Sequence, residues 1–180
     1  MKLGKKIVCF GIALSFAGSA LSQIPPTPAP DQLALLKSDN PKEAANKKLV
    51  FDMYRKFVNA GHTEEADKYF TEGYIQHNPN VVSGRDALVK YIKQTRPAIP
   101  IPPTVTFPVI AIMAEDDLVL IASVSYADDP MKPGEQYAST HFDLYRIENG
   151  RIAEHWDHVP KDPKAQHFNP NVGTIKKTKP

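Results

Sequence analysis

Residues 141–157 read HFDLYRIENGRIAEHWD, and this segment determines the fold that the chain adopts. Polar and apolar residues alternate on both sides of its central Asn-Gly pair, a pattern typical of two antiparallel strands joined by a tight turn. Side chains on a strand point alternately to its two faces, so His141, Asp143 and Tyr145 share one face. The segment therefore predicts a hairpin with a polar side.

The length of the turn decides whether the polar residues of both strands share a face. A two-residue turn sets Asp143 opposite Trp156 and mixes polar with apolar side chains on both faces. A three-residue turn over 148–150 with a glycine bulge sets Asp143 opposite His155. We expect the second register, because it also collects Phe142, Leu144 and Trp156 into one apolar face. The polar face then holds His141, Asp143, Tyr145, His155 and Asp157.

Three helices are predicted before the strands. They run from Asn40-Pro41 to Gly61, from Thr63 to Phe70, and from Arg85 to about Thr95. A proline-rich stretch over 97–103 ends the third helix. After it the hydrophobic period changes from that of a helix to that of a strand, over Val105–Met113, Leu118–Tyr126, Tyr137–Ile147 and Ile152–Val159. Helices followed by antiparallel strands predict an α+β fold with the helices covering one face of a sheet.

The first 22 residues have the pattern of a secretory signal. Three lysines precede an apolar core at 7–16, which is too short to cross a bilayer as a permanent anchor. Ala20 and Ser22 predict cleavage before Gln23, and cleavage after Ala20 is the alternative. We therefore expect an exported protein, periplasmic or secreted, with no membrane insertion after cleavage.

Composition limits the partners of the mature part. The chain has 22 Lys and Arg and 20 Asp and Glu. Three of those lysines belong to the predicted signal, so the remainder has one more acidic than basic residue and no nucleic-acid partner is expected. Cys9 is the one cysteine of the chain and is lost with the signal, which excludes disulfides and thiolate metal sites. The expected organisation is a signal at 1–22, a proline-rich tether at 23–40, a domain at 41–160 and a flexible tail at 161–180.

A second polar cluster lies at residues 74–79, YIQHNP. Pro79 keeps Asn78 out of the helical region, so the segment is extended. His77 is therefore held on rigid backbone, as a catalytic or ligand-orienting histidine requires.

Three segments together resemble the recurrent motifs of the SnoaL-like polyketide cyclases, a family of the nuclear transport factor 2-like superfamily. They are YIQHNP at 74–79, GRDAL at 84–88 and FDLYRIENGRIAEHWD at 142–157. The resemblance covers roughly residues 44–160. It implies a cone of three helices packed on a curved antiparallel β-sheet, and a homodimer formed through the outer face of the sheet.

The resemblance also implies an aldol-type ring closure run by a His/Asp pair, with neither metal nor organic cofactor. Asp143 stands where ketosteroid isomerases of the superfamily place an acid that donates a hydrogen bond to the substrate oxygen. A carboxyl group in that role has to be buried and protonated. Their general-base aspartate has no clear counterpart here, which leaves His155 with Asp157, or His77, as the base. An imidazole has a suitable pKa with little tuning.

Two sets of candidate residues follow. The catalytic candidates are His77, Asp143, His155 and Asp157, and the substrate-binding candidates are Tyr74, Asn78, Tyr145 and Trp156. The same groups could instead form a polar network that only fixes the strands, and Trp156 could be a packing or interface residue. A zinc or iron site built from His77, His155 and Asp157 is a further alternative. Three functions remain open: a cofactor-independent cyclase or lyase acting on a hydrophobic, carbonyl-bearing small molecule, a non-catalytic binder of such molecules, and an interacting dimer whose functional surface is the outer sheet face with Phe142, Leu144 and Trp156.

Overall fold

The structure, a computed structural model, describes residues 24–162. The helices are α1 (Pro41–Asp52), α2 (Ala66–Tyr69) and α3 (Arg85–Thr95). The strands are β1 (Phe70–Gln76), β2 (Val109–Glu115), β3 (Leu118–Asp128), β4 (Gln136–Glu148) and β5 (Arg151–Asp157). Short 3-10 helices form Ala34–Leu36 and Thr63–Glu65, and a π-helix over Met53–Asn59 extends α1. This order confirms the predicted α+β class.

Local interactions fix the start of helix α1 and the end of its π-helical extension. The Asn40 side chain accepts a hydrogen bond from the Lys42 N–H at 3.0 Å and donates one to Glu43 at 3.2 Å, so the first turn is capped. The π-helical extension ends before Gly61, whose φ is +71°. A Cβ at this glycine would lie 2.8 Å from the Pro97 carbonyl oxygen, so no larger residue fits.

The five strands form one curved sheet in the order β1-β5-β4-β3-β2. Strands β2 to β5 pair antiparallel, whereas β1 lies parallel to β5. The expected cone is confirmed, but the sheet is mixed rather than wholly antiparallel. The reason is that residues 70–76 form an edge strand directly after α2. The sequence analysis assigned this stretch to a helix end and a short extended segment.

The β4–β5 hairpin combines a tight turn with a bulge. Asn149 and Gly150 have φ of +51° and +74°, and Glu148 pairs with Arg151, so the turn has two residues rather than the predicted three. The register then shifts by one residue at Ala153, so that two residues of β5 oppose one of β4. Because of this bulge, Tyr145 pairs with His155 and Asp143 with Asp157, not Asp143 with His155.

The hydrophobic core lies between the helices and the inner face of the sheet. Its fully buried side chains include Val50, Phe51, Phe57, Phe70, Ile92, Ile121 and Ile152. Burying each of them contributes about 1.5–3 kcal/mol. This packing fixes the spacing between α1 and the sheet, and therefore the width of the cavity described below.

Part of the expected proline-rich tether belongs to the domain. The Ala29 N–H donates to the Val109 carbonyl at 2.8 Å, and the Gln32 side chain accepts from the Val105 N–H at 3.1 Å. Leu35 and Leu36 pack against the core. The segment therefore joins the fold from Ala29 onward, because these contacts satisfy backbone groups next to β2. The predicted signal and almost all of the predicted tail lie outside the described residues, and within 24–162 no helix is long and apolar enough to span a membrane.

Candidate functional site

Strands β4 and β5 turn a set of polar side chains toward the helices. Tyr145, Asp143 and His155 expose only 3%, 7% and 9% of their surface. The rings of Tyr145 and His155 are stacked at 4.4 Å and nearly parallel, which holds the imidazole plane in place. The structure therefore brings the predicted Asp and His groups together on one face, by way of the bulge rather than the longer turn.

Asp143 is the acceptor on which several donors of this cluster converge. His155 Nε2 lies 2.9 Å from Asp143 Oδ1, and His141 Nε2 lies 3.3 Å from the same oxygen. The Tyr54 hydroxyl donates to Oδ2 at 2.8 Å. Since the one hydroxyl proton of Tyr54 is used there, the Tyr145 hydroxyl donates to Tyr54 across the 2.6 Å between their oxygens.

Gln76 fixes the tautomer of His155. The Asn78 N–H donates to Gln76 Oε1 at 3.1 Å, so the amide nitrogen of Gln76 must be the atom that faces His155 Nδ1 at 2.8 Å. An amide nitrogen only donates, and Nδ1 therefore carries a lone pair while Nε2 carries the hydrogen. The same amide group also donates to the Tyr74 hydroxyl at 3.2 Å.

The charges in the cluster follow from these hydrogen bonds. Burial acts to raise the pKa of Asp143, but the hydrogen bonds from His141 and His155 outweigh it and place the pKa far below its ordinary value of 3.8. Asp143 is thus an ionised acceptor, and the expectation of a protonated, donating Asp143 is wrong. Its buried position was expected correctly. The hydrogen bond to Asp143 raises the pKa of His141, and burial raises the pKa of Tyr54 and Tyr145.

A cavity of about 170 Å³ opens beside this cluster. Its wall is mostly apolar or aromatic and includes Met53, Val58, Phe70, Val81, Leu88, Tyr91 and Ile92. The polar part of the wall comprises Tyr54, Tyr74, Gln76, Asn78, Arg96, Tyr145, His155 and Asp157. A concave, largely apolar space with a few fixed polar groups is the usual form of a small-molecule site.

Asn78 and Asp157 hold each other at the wall of this cavity. Asn78 Nδ2 donates to Asp157 Oδ2 at 2.7 Å, and the Val159 N–H donates to Asp157 Oδ1 at 3.1 Å. Both oxygens of Asp157 are therefore engaged. Of the substrate-binding candidates, Tyr74, Asn78 and Tyr145 line the cavity as expected.

His77 and Trp156 are not part of the cavity wall. Their rings stack on each other at 4.7 Å, and His77 Nε2 lies 3.0 Å from Glu154 on the same side. The side chain of His77 is 40% exposed. Alternation along β5 places Trp156 opposite His155, so both predictions are corrected: these residues occupy the outer face of the sheet. On the same face, Arg146 Nε donates to Glu154 at 2.7 Å.

Comparison with known proteins places the chain in a family. The model of the SnoaL-like domain matches residues 50–155, more than half of the chain. This chain belongs to the SnoaL-like family. No curated protein matches it.

Solved structures similar to this SnoaL-like chain share little sequence with it. A protein of Acidithiobacillus ferrooxidans described as a polyketide cyclase is 19% identical with a TM-score of 0.44, and 69% of this chain covers 94% of that one. A protein of Jannaschia sp. CCS1 described as a SnoaL-like polyketide cyclase is 16% identical with a TM-score of 0.46, and 68% of this chain covers 91% of that one. An LEH-like epoxide hydrolase of M. tuberculosis is 11% identical with a TM-score of 0.45, and 63% of this chain covers 80% of that one.

Sequence reasoning missed two members of the polar cluster and gave a third no function. Tyr54 lies at helical spacing between Val50 and Phe57, so its place on the inner stripe could have been found from the period. Gln76 lies two residues after Tyr74 on β1, so strand alternation places both side chains on one face and could have identified Gln76. His141 was grouped with the polar face but given no function. The contacts of Tyr54 with Asp143 span 89 positions of sequence and carry no local signal.

A metal ion could be held by a different set than the one considered from sequence. The ligand atoms of Asp143, His155 and Asp157 lie within 4.8 Å of one another. The set His77, His155 and Asp157 does not assemble, because His77 lies on the outer face. His155 Nε2 also lies at hydrogen-bond distance, 2.9 Å, from Asp143 Oδ1, so the same two groups form an imidazole–carboxylate pair of the kind used in acid–base chemistry.

Proposed function

We propose that this SnoaL-like domain is a cofactor-independent cyclase or lyase that performs acid–base chemistry on a hydrophobic, carbonyl-bearing small molecule. The observation that carries the proposal is the buried His155–Asp143 pair, whose imidazole lines a mostly apolar cavity with Asp143 behind it. An imidazole oriented by an ionised carboxylate is the usual form of a general base, because the carboxylate stabilises the imidazolium that forms.

His155 Nδ1 is the atom that takes the proton. At rest it accepts a hydrogen bond from Gln76, and a substrate carbonyl oxygen entering the cavity replaces it as the acceptor of that amide hydrogen. This exchange frees the Nδ1 lone pair and places a donor on the oxygen where negative charge develops. His155 then removes a proton from the carbon next to the carbonyl, which gives an enolate and an imidazolium facing Asp143.

Ring closure follows within the same molecule. The enolate carbon attacks a second carbonyl carbon, a carbon–carbon bond forms, and the second carbonyl oxygen becomes an alkoxide. His155 returns its proton to that alkoxide, so the base is regenerated and no external oxidant or reductant is needed. General-base catalysis of this kind contributes about 10²–10⁴-fold in rate.

The test is turnover of heptane-2,6-dione, a diketone that can close to a six-membered ring, followed by mass spectrometry. His155→Gln should lower kcat by about 10²–10⁴-fold while the protein still unfolds cooperatively. His77→Gln is the matched control, because His77 is a histidine on the outer face of the same sheet, and its turnover should not change. Equal turnover in the two variants would reject His155 as the base.

The alternative function is binding without catalysis. One observation favours it: both nitrogens of His155 and both oxygens of Asp143 and Asp157 already have partners. Such a closed network can serve to fix the shape of a binding site. A binder would show saturable ligand binding and a raised melting temperature with no product formed.

We further propose that the protein is exported and forms a homodimer. The N-terminal sequence supports export, and N-terminal sequencing of the protein from culture medium or periplasm tests it. The outer face of the sheet supports the dimer, since Phe142 is 47% exposed and shares this face with Leu144, the residue opposite Trp156. Light scattering that gives a monomer mass would exclude this assembly.

A further inference from the structure

The size of the cavity limits what the proposed function can act on. The space beside His155 measures about 170 Å³, whereas sites for drug-sized ligands span about 300–1,000 Å³. An apolar cavity of about 150 Å³ holds one benzene molecule. The cavity is therefore matched to a single ring or a short chain, and not to a fused multi-ring skeleton.

The charge at the wall points to the chemistry of that ligand. Arg96 lines the cavity directly after the end of α3, and its guanidinium has no hydrogen bond or ion pair with any other residue in 24–162. The carboxylate of Asp157, on the same wall, is already engaged by Asn78 and the Val159 N–H. An arginine facing a mostly apolar space without a carboxylate partner is suited to bind an anion from the ligand.

Arg96 also stands where two cavities meet. Together with Val58 it borders a second cavity of about 430 Å³, whose lining includes no member of the His–Asp cluster. A charged end of a ligand at Arg96 can thus remain hydrated while the apolar part reaches His155. Arg96 directly follows α3 and His155 lies on β5, so two different elements supply the cavity with a cation and an imidazole.

We propose that the ligand is a compact carbonyl compound that carries a carboxylate, with the carboxylate at Arg96 and the carbonyl beside His155. The position of the carbonyl rests on the proposed function. The carboxylate of the ligand and its small size do not depend on the proposed function, because Arg96 and the cavity would select the same molecule in a protein that only binds it.

The experiment compares two isosteric probes, 4-acetylbenzoate and the neutral 4-acetylbenzamide, by calorimetric titration of the whole domain. The acid should bind about 10- to 100-fold more tightly, the range expected for a charge-assisted hydrogen bond. Arg96→Gln should remove this preference. Lys93→Gln is the matched control, because Lys93 is an exposed cation one turn earlier on α3 that does not line the cavity, and it should keep the preference.

Several results would overturn the inference. Equal binding of acid and amide, or no binding of the acid, would refute the inference that the ligand carries a carboxylate. A preference for the acid that survives Arg96→Gln would refute the position of the carboxylate at Arg96. Equally tight binding of the larger 6-acetyl-2-naphthoate would refute the size limit set by the cavity. Failure of the proposed function is distinguishable: the acid would still bind in an Arg96-dependent way, but no probe or diketone would be turned over.

Discussion

Replacement of Asp143 by Asn tests whether the polar cluster has a fixed direction. The change keeps the shape of the side chain but turns one oxygen acceptor into an amide donor. In the native protein Tyr54, His155 and His141 all donate to Asp143. The amide group of Asn would face at least one of these donors. The His155 side of the network cannot reverse, because the Asn78 N–H fixes Gln76, which in turn fixes His155. Reversal of the Tyr54–Tyr145 hydrogen bond would leave the Tyr145 hydroxyl without its acceptor.

The size of the effect follows from the hydrogen bonds that change. One buried donor left without an acceptor costs about 1–3 kcal/mol, and the remaining bonds fall from charge-assisted to neutral strength. We expect Asp143→Asn to lower the free energy of unfolding by about 3 kcal/mol. For a domain of this size that corresponds to a melting temperature about 6–12 °C lower.

The assay is urea and thermal unfolding of native protein and variant between pH 3 and pH 9. Glu154→Gln is the matched control, because Glu154 is a carboxylate on the outer face of the same sheet that is also paired with a histidine. As a surface pair it should change stability by under about 1 kcal/mol. If Asp143→Asn were no more destabilising than the control, the cluster would not be a directional network around a carboxylate.

The pH dependence has a defined sign. The pKa of folded Asp143 is lowered, so its stabilising contribution is present above its ordinary pKa of 3.8 and is lost as the pH falls through the lowered value. The pKa of folded His141 is raised, so its contribution is present below 6.5 and is lost as the pH rises through the raised value. The stability difference between native protein and Asp143→Asn should therefore be largest between about pH 4 and pH 6.5.

Three further outcomes are expected. Gln76→Glu replaces a donor with an acceptor at His155 Nδ1. In ¹⁵N NMR at neutral pH this nitrogen should be protonated in the variant and unprotonated in the native protein. If the two proteins gave the same spectrum, the assigned tautomer would be wrong. Deletion of Ala153 removes the bulge but lets Glu154 follow Ile152 directly, so His155 should keep its place opposite Tyr145 on the inner face and ligand binding should persist; lost binding would mean that the face of His155 depends on Ala153 itself. His77→Ala and Trp156→Ala should leave the dissociation constant of a cavity ligand within about twofold, and a tenfold change would place these residues in the site.

The sequence alone determined the order of elements and most of their bounds. Helix α3 was expected from Arg85 to about Thr95 and spans Arg85–Thr95. The last three strands were placed within two residues at each end. These features are local: helical and strand periods, prolines and Asn-Gly turns act over a few residues, and each is visible in the chain itself. Alternation likewise showed that His155 and Asp157 share a face of β5.

Tertiary structure decided how these faces combine and which groups meet. The two-residue turn would have separated Asp143 from His155, and the bulge at Ala153 restores their common face. No local signal marks that bulge, because it is selected by packing: Ile152 and Ala153 are both buried against the core. The approach of Tyr54 and Gln76 to the cluster, and the displacement of His77 to the outer face, depend in the same way on contacts between distant segments. The period of a strand fixes which side chains alternate, but only the packed sheet determines which alternating set faces the cavity.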